Sequence, residues 1–206
     1  MLQTQKSVLI NKVINYFSSL HPISAGFIME ITANAIPVLV PKNKYIISPI
    51  DHNAAVFFVI KGMVRGFIKD DNKEITTWIS MGNEFIGAIQ HPLDQKSSSI
   101  EYLQTLEDTE LVVISRALIN KLYHIHPETN VIGRKILALQ YHAASERSIL
   151  ARIPSAERRY EKLLALNAFD INKVPLRCVA SYLGIRLETL SRIRSKFSLR
   201  NSVNVG

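Results

Sequence analysis

Residues 176–195 read Leu-Arg-Cys-Val-Ala-Ser-Tyr-Leu-Gly-Ile-Arg-Leu-Glu-Thr-Leu-Ser-Arg-Ile-Arg-Ser, and they constrain the fold more than any other stretch of this chain. Two helices that cross steeply within so short a segment need a small residue at the crossing. They also need a glycine that takes the left-handed turn four residues later, and apolar positions that lock the pair. Ala180 is the small residue, Gly184 is the turn, and Val179, Leu183, Ile185, Leu190 and Ile193 fill the apolar positions. The pattern predicts a helix-turn-helix whose second helix covers about Leu187 to Lys196.

With Leu190 and Ile193 turned inward, Arg186, Leu187, Glu188, Ser191, Arg192 and Ser195 remain on the outer face. A helix of this kind lies in the major groove, where Glu188 can accept from a cytosine amino group and Arg192 can donate to guanine N7 and O6, each worth about 1–3 kcal/mol of discrimination. Arg186 and Ser191 complete the candidate base-reading set. The blander alternative is a Glu188–Arg192 ion pair on a solvated face, worth about 0.2–0.5 kcal/mol. Arg177, Thr189, Arg194, Lys196 and Arg200 are candidates for phosphate contacts, which position without specifying.

The charge supports a polyanion partner. The chain of 206 residues carries a net charge of +8, and nearly all of it lies at one end: residues 1–145 balance at +1 and residues 146–206 at +7. Neutralising phosphates releases counterions and drives binding whatever the sequence, so double-stranded DNA is the expected partner. The longest apolar run, Ala54 to Ile60, is too short to cross a bilayer, and Met1 to Lys12 lacks the order of a signal peptide. A cytoplasmic protein with no membrane partner is expected. A single cysteine, Cys178, excludes an internal disulfide, a four-cysteine cluster and a CxxC zinc knuckle.

Upstream, apolar residues spaced by three and four between Gln5 and Ala35 fit short helices. From Val38 the texture changes to short β-rich runs: 38–40, 45–47, 56–60, 64–68, 75–79, 85–86, 100–106 and 111–114. Pro41-Lys42-Asn43, Lys61-Gly62, Asp70-Asp71-Asn72 and Met81-Gly82-Asn83 supply the turns between them. Seven or eight strands so spaced predict a sandwich or jelly roll. Beyond Pro127, Ile132, Ile136, Leu139, Ala143 and Leu150 form a heptad-like stripe on a helix of about 25 residues. It is expected to pair with its copy in a second chain; packing on its own roll is the alternative. Pro154 marks the hinge, and Ser155 can cap the next helix.

Together these residues resemble the cyclic-AMP receptor protein and fumarate-nitrate regulator (Crp/Fnr) family of bacterial transcription regulators. The resemblance rests on Ile60-Lys61-Gly62, on Gly82-Asn83-Glu84-Phe85-Ile86-Gly87, and on the terminal segment from Val174-Pro175-Leu176 to Arg194. With Arg158-Arg159-Tyr160, that segment is similar to the branch found widely in Bacteroidetes. The resemblance implies an α+β protein in three parts. These are a cyclic-nucleotide-binding-like β-roll (a double-stranded β-helix or jelly roll) over 1–126, a dimerisation helix and hinge over 127–153, and a winged helix-turn-helix over 154–206. It implies a homodimer on a palindromic operator, with RNA polymerase as a further partner. Glu188 and Arg192 fall on the family's main base-reading positions.

The chain departs from the family at the ligand. Cyclic-nucleotide binders hold the ribose with a glutamate and the phosphate with an arginine followed by serine or threonine, but here Ala88 stands where the glutamate is expected and Ser99-Ile100 fall near the phosphate-binding pair. A buried phosphate with no fixed cation is costly to desolvate, so no response to cyclic AMP is expected and no cofactor is assigned. Phe85, Gly87, Ala88, Ser98, Ser99 and Tyr102 are the candidate lining for a different effector. His124 and His126 lie two apart, a spacing with no chelating geometry, and no metal site is expected. No nucleophile elbow, P-loop, H-E-x-x-H or dinucleotide fingerprint occurs, which argues against an enzyme. Related members often carry Thr-Pro where this chain has Arg186-Leu187, and Arg186 cannot cap the free helix amides. Its expected role is to bring in a phosphate that does. The tail, 197–206, is short for a complete β wing. The competing function is a small-molecule sensor whose C-terminal helices bind a protein rather than DNA.

Overall fold

The computed structural model describes residues 3–50, 55–87, 99–166 and 169–203. Two helices, α1 (Gln3–Leu20) and α2 (Ala25–Asn34), precede eight strands. The strands are β1 (Ile36–Val40), β2 (Tyr45–Ile47), β3 (Ala55–Lys61), β4 (Val64–Asp70), β5 (Lys73–Ser80), β6 (Glu84–Ile86), β7 (Tyr102–Thr105) and β8 (Thr109–Ser115). Each run expected from the sequence is a strand. They form two antiparallel four-stranded sheets, ordered β1-β8-β3-β6 and β2-β7-β4-β5, which makes the expected roll.

Local chemistry explains the reversals. Asn43, Asp71 and Asn83 take positive φ (63°, 51° and 57°), which short polar side chains tolerate. Gly62 sits at φ 113°, and a Cβ there would lie 2.5 Å from Thr109 Oγ1, so only glycine fits the β3–β4 turn. The apolar run in β3 is continuous because both faces of its sheet are covered. Phe57 and Val59 pack between the sheets with Val64, Leu103 and Leu111. Phe58 and Ile60 face the other way, against Val13, Phe17, Phe27 and Ile31 of α1 and α2.

Two helices close this outer layer: α3 (Arg116–Ile125), which has no counterpart among the sequence expectations, and α4 (Glu128–Arg152). Ser24 and Ser115 cap α2 and α3 by accepting from the amides of Phe27 (3.2 Å) and Leu118 (3.1 Å). At 25 residues α4 has the expected length, but its stripe does not face one partner. Ile132 and Ile136 pack on the helical layer of their own chain, and Leu150 enters a separate core. Of the stripe, Leu139 is exposed, as are Leu137, Tyr141 and Ile149 elsewhere on the helix. At 3.6 residues per turn positions 132, 136, 139, 143 and 150 share one side of α4, so the angle does not set Leu139 apart; the stripe is divided by what each level of the helix packs against.

Three helices follow, α5 (Ala156–Leu166), α6 (Leu176–Tyr182) and α7 (Leu187–Val203). Their core of Tyr160, Leu163, Phe169, Val179, Leu183 and Leu190 is continuous with Leu150 of α4 and with Met63 and Leu106 of the roll. Among the described residues the C-terminal part holds these helices and the turns between them, and no strand. The ring of Phe197 meets Tyr160 edge-on at 5.3 Å, and α7 runs on to Val203 through the stretch from which a β wing would be built. No helix among the described residues is long and apolar enough to cross a membrane.

Candidate nucleic-acid interface

The glycine turn is built as the sequence requires. Gly184 has φ 61°, the Gly184 N–H donates to Ser181 O (3.0 Å), and the Ile185 N–H donates to Ala180 O (3.0 Å). This pair of bonds satisfies the last carbonyls of α6 and turns the chain into α7. Cys178, Val179, Ala180, Leu183, Leu190 and Ile193 are buried, and Ile185 is half-buried.

Burying that side leaves the other side of α7 free. Arg186, Leu187, Glu188, Ser191, Arg192 and Ser195 are exposed together, as the sequence predicts. Arg192 Nε donates to the backbone carbonyl of Glu188 (3.4 Å), and the two side chains form no ion pair, so both charged ends face outward uncommitted to each other. Ser191 and Ser195 donate back to the carbonyls of Leu187 and Ser191 (both 3.1 Å). Their hydroxyl oxygens keep acceptor capacity.

The phosphate candidates are less uniform. Arg177 is exposed and Thr189 half-buried. Arg194 Nη2 donates to Asn172 Oδ1 (3.1 Å), and Lys196 pairs with Glu157 (3.0 Å). Both cations are held by protein partners, which orients them and partly neutralises Lys196. The side chain of Arg200 lies outside the described residues.

A feature that the sequence did not reveal ties this region to the roll. Strand β5 is at the edge of its sheet, so its outward backbone groups lack a neighbouring strand. Ser181 of α6 supplies one: its Oγ accepts from the Thr76 N–H (2.9 Å) and donates to the Glu74 carbonyl (2.8 Å). Nearby, Arg147 of α4 lies close enough to act electrostatically on both Glu84 of the roll and Tyr182 of α6. Burial raises the pKa of each, and the positive charge of Arg147 opposes the rise. Behind the turn, an Arg159 Nη atom lies 3.7 Å from where a Gly184 Cβ would be, and its Nε is buried without a hydrogen-bond partner.

Of the candidate effector lining, Phe85 and Gly87 meet at one cavity, while Ser99 and Tyr102 have other partners. Phe85 is turned out of the roll, with its ring 5.4 Å from Phe17 and 4.9 Å from Phe58. Phe85 and Gly87 together border a small cavity of about 130 Å3 with Trp78, Glu84, Gln140 and Arg147. Ser99 accepts from the Glu101 N–H (3.1 Å), and Tyr102 stacks on Phe67 at 5.0 Å. Ala88 and Ser98 lie outside the described residues. A buried cation is present in the roll, but it is spoken for: Arg65 donates twice to Gln104 Oε1 (3.0 and 2.7 Å) and pairs with Glu74. The buried Glu101 carboxylate accepts from Thr77 Oγ1 (2.6 Å) and Trp78 Nε1 (2.8 Å). His124 bonds its own helix at Asn120 O (2.9 Å) while His126 lies against Phe27 and Ser24, so the two imidazoles serve different elements.

A jelly roll, a long helix and a terminal helix-turn-helix in this order define the architecture of Crp/Fnr regulators, and solved members of that family are structural neighbours of this chain. FixK2 from Bradyrhizobium japonicum superposes with a TM-score of 0.68 at 20% identity, covering 81% of this chain and 86% of its own. A putative transcriptional regulator of the Crp/Fnr family from Eubacterium rectale gives 0.68 at 18% identity, covering 90% and 88%. The c-di-GMP-responsive global regulator CLP of Xanthomonas campestris gives 0.67 at 18% identity, covering 86% and 93%. No protein-family model and no curated protein matches the chain.

Proposed function

We propose that this chain is a sequence-specific DNA-binding transcription regulator of the Crp/Fnr type that does not respond to cyclic AMP. The observation that carries the reading is the outer face of α7. Glu188 and Arg192 stand there exposed, on a helix anchored by Leu190 and Ile193, in the part of the chain that holds nearly all the positive charge. Glu188, Arg192, Arg186 and Ser191 read bases, and Arg177 and Thr189 contact phosphates. Arg194, Lys196 and Arg200 join them on the duplex. The roll senses, α4 dimerises and the helices from Pro154 onward read DNA, a binding role with no catalysis. Exposed Leu137 and Tyr141, four apart on one side of α4, suit a second copy of the chain, and two-fold symmetry then calls for a palindromic operator with about one helical turn between half-sites. RNA polymerase is the partner through which such a cytoplasmic regulator would act.

The experiment is recovery of sheared genomic DNA by purified protein at near-physiological salt, comparing wild type with the Glu188→Ala, Arg192→Ala double variant. A palindromic motif recovered only by wild type is the expected result. Equal recovery of unpatterned DNA by both proteins refutes base reading. Absence of salt-sensitive duplex binding moves the protein-partner sensor to first place.

A further inference from the structure

On the outer face of the first sheet, where α1 to α4 cover it, a cavity of about 210 Å3 opens beside α4. Phe17, Phe27, Ile114, Leu122 and Ile132 form its buried walls. Tyr123 and the 67% exposed Leu137 stand at its mouth. No acidic, basic or histidine side chain lines it. Thr129 does, but its hydroxyl is already donated to the Leu122 carbonyl at 3.0 Å. The Tyr123 hydroxyl is the remaining polar side-chain group, and it lies against Gly133 so closely that a Cβ at 133 would sit 1.9 Å from it. A mid-helix glycine is the condition for Tyr123 to lie over the cavity.

We propose that this cavity binds a small uncharged apolar molecule, an aromatic ring or short alkyl group of about six to nine heavy atoms, with any polar tip toward Tyr123. The size follows from comparison: apolar cavities of about 150 Å3 lined by leucine, isoleucine and phenylalanine stay dry and take up benzene or xenon. The class follows from the lining, since an ion would leave water with no partner to receive it. The site is separate from Gly87 and Tyr102, and of the candidate effector residues only Phe85 contributes to its wall. Its wall includes Ile132, Gly133, Ile136 and Leu137 of α4, so an occupant bears directly on the helix that leads to α5.

The test is methyl-detected NMR of the whole chain, labelled at isoleucine and leucine, titrated with toluene and with benzoate. Saturable shifts of the Ile119, Leu122, Ile132 and Ile136 methyls with toluene and none with benzoate are expected. Val56→Phe, which fills the cavity from the sheet side, should abolish the toluene shifts while far-UV circular dichroism is unchanged. If that variant fails to fold, the wild-type comparison still decides. No saturable toluene shift, or an equal response to benzoate, overturns the proposal. So do shifts of the same methyls that follow protein concentration without toluene, which would assign the mouth to a second copy. The readout is independent of DNA binding, so its failure leaves the regulator reading intact.

Discussion

Replacing Ser181 with alanine removes a side chain that partners the open edge of β5. The loss comprises the bond from the Thr76 N–H (2.9 Å) and the bond to the Glu74 carbonyl (2.8 Å). Each is worth about 0.5–1.5 kcal/mol net, so the pair contributes about 1–3 kcal/mol. Alanine regains about 0.5 kcal/mol through its higher helix propensity in α6. Thr76 is only 4% exposed, so water reaches its orphaned amide poorly and the lower end of the range is not favoured. The net loss is about 0.5–2.5 kcal/mol, concentrated at the contact between α6 and β5. Native-state hydrogen exchange reads this directly, because protection of the Thr76 amide should fall by about two- to sixty-fold at 1.4 kcal/mol per tenfold. Urea denaturation should show a matching loss. Unchanged Thr76 protection, with stability within about 0.3 kcal/mol of wild type, would refute the claim that this hydroxyl holds the helix-turn-helix to the roll.

Three further outcomes follow from the same geometry. Gly184→Ala places a Cβ at φ 61° and should cost about 1–2 kcal/mol in thermal or chemical denaturation, although space is open there apart from Arg159. Arg186→Thr supplies a cap for α7 and should stabilise the protein by about 0.5–2 kcal/mol while weakening duplex binding; stabilisation with unchanged affinity would remove Arg186 from the phosphate contacts. Glu128 accepts a hydrogen bond from the Ser24 hydroxyl at 2.7 Å, which holds its carboxyl below the usual range. A depressed carboxylate stabilises the fold fully above the unfolded value of about 4.3, and that contribution is lost as pH falls through the lower folded value. Melting temperature should therefore drop more steeply below about pH 4.3 in wild type than in Glu128→Gln, and parallel curves would exclude the Ser24 bond as the cause.

The strands and the helix-turn-helix were legible because their determinants are local. Turn residues such as Asn43, Asp71 and Asn83 carry their backbone preference wherever they stand, and the Ala180-to-Gly184 spacing meets a steric demand confined to one helix pair. The outward set on α7 followed from Leu190 and Ile193 alone. The reading was weaker where a residue's role depends on distant chain. Phe85 was expected in an effector site, but the spacing gave no sign that its ring would also meet Tyr16 and Phe17 of α1 and wall the outer cavity. Arg194 and Lys196 are engaged by Asn172 and Glu157, partners that no spacing rule indicates.

The apolar pattern by itself determined that α4 would form and how long it would be, because helix periodicity and the break at Pro154 are written along the chain. Which core each position would enter was decided only by tertiary packing: Ile132 joined one, Leu150 another, and Leu139 neither. The Ser181 contact with β5 belongs to the same class. Its partners lie 105 and 107 residues away, and a serine on a helix carries no sign of which backbone it will complete until the fold brings an open strand edge within reach.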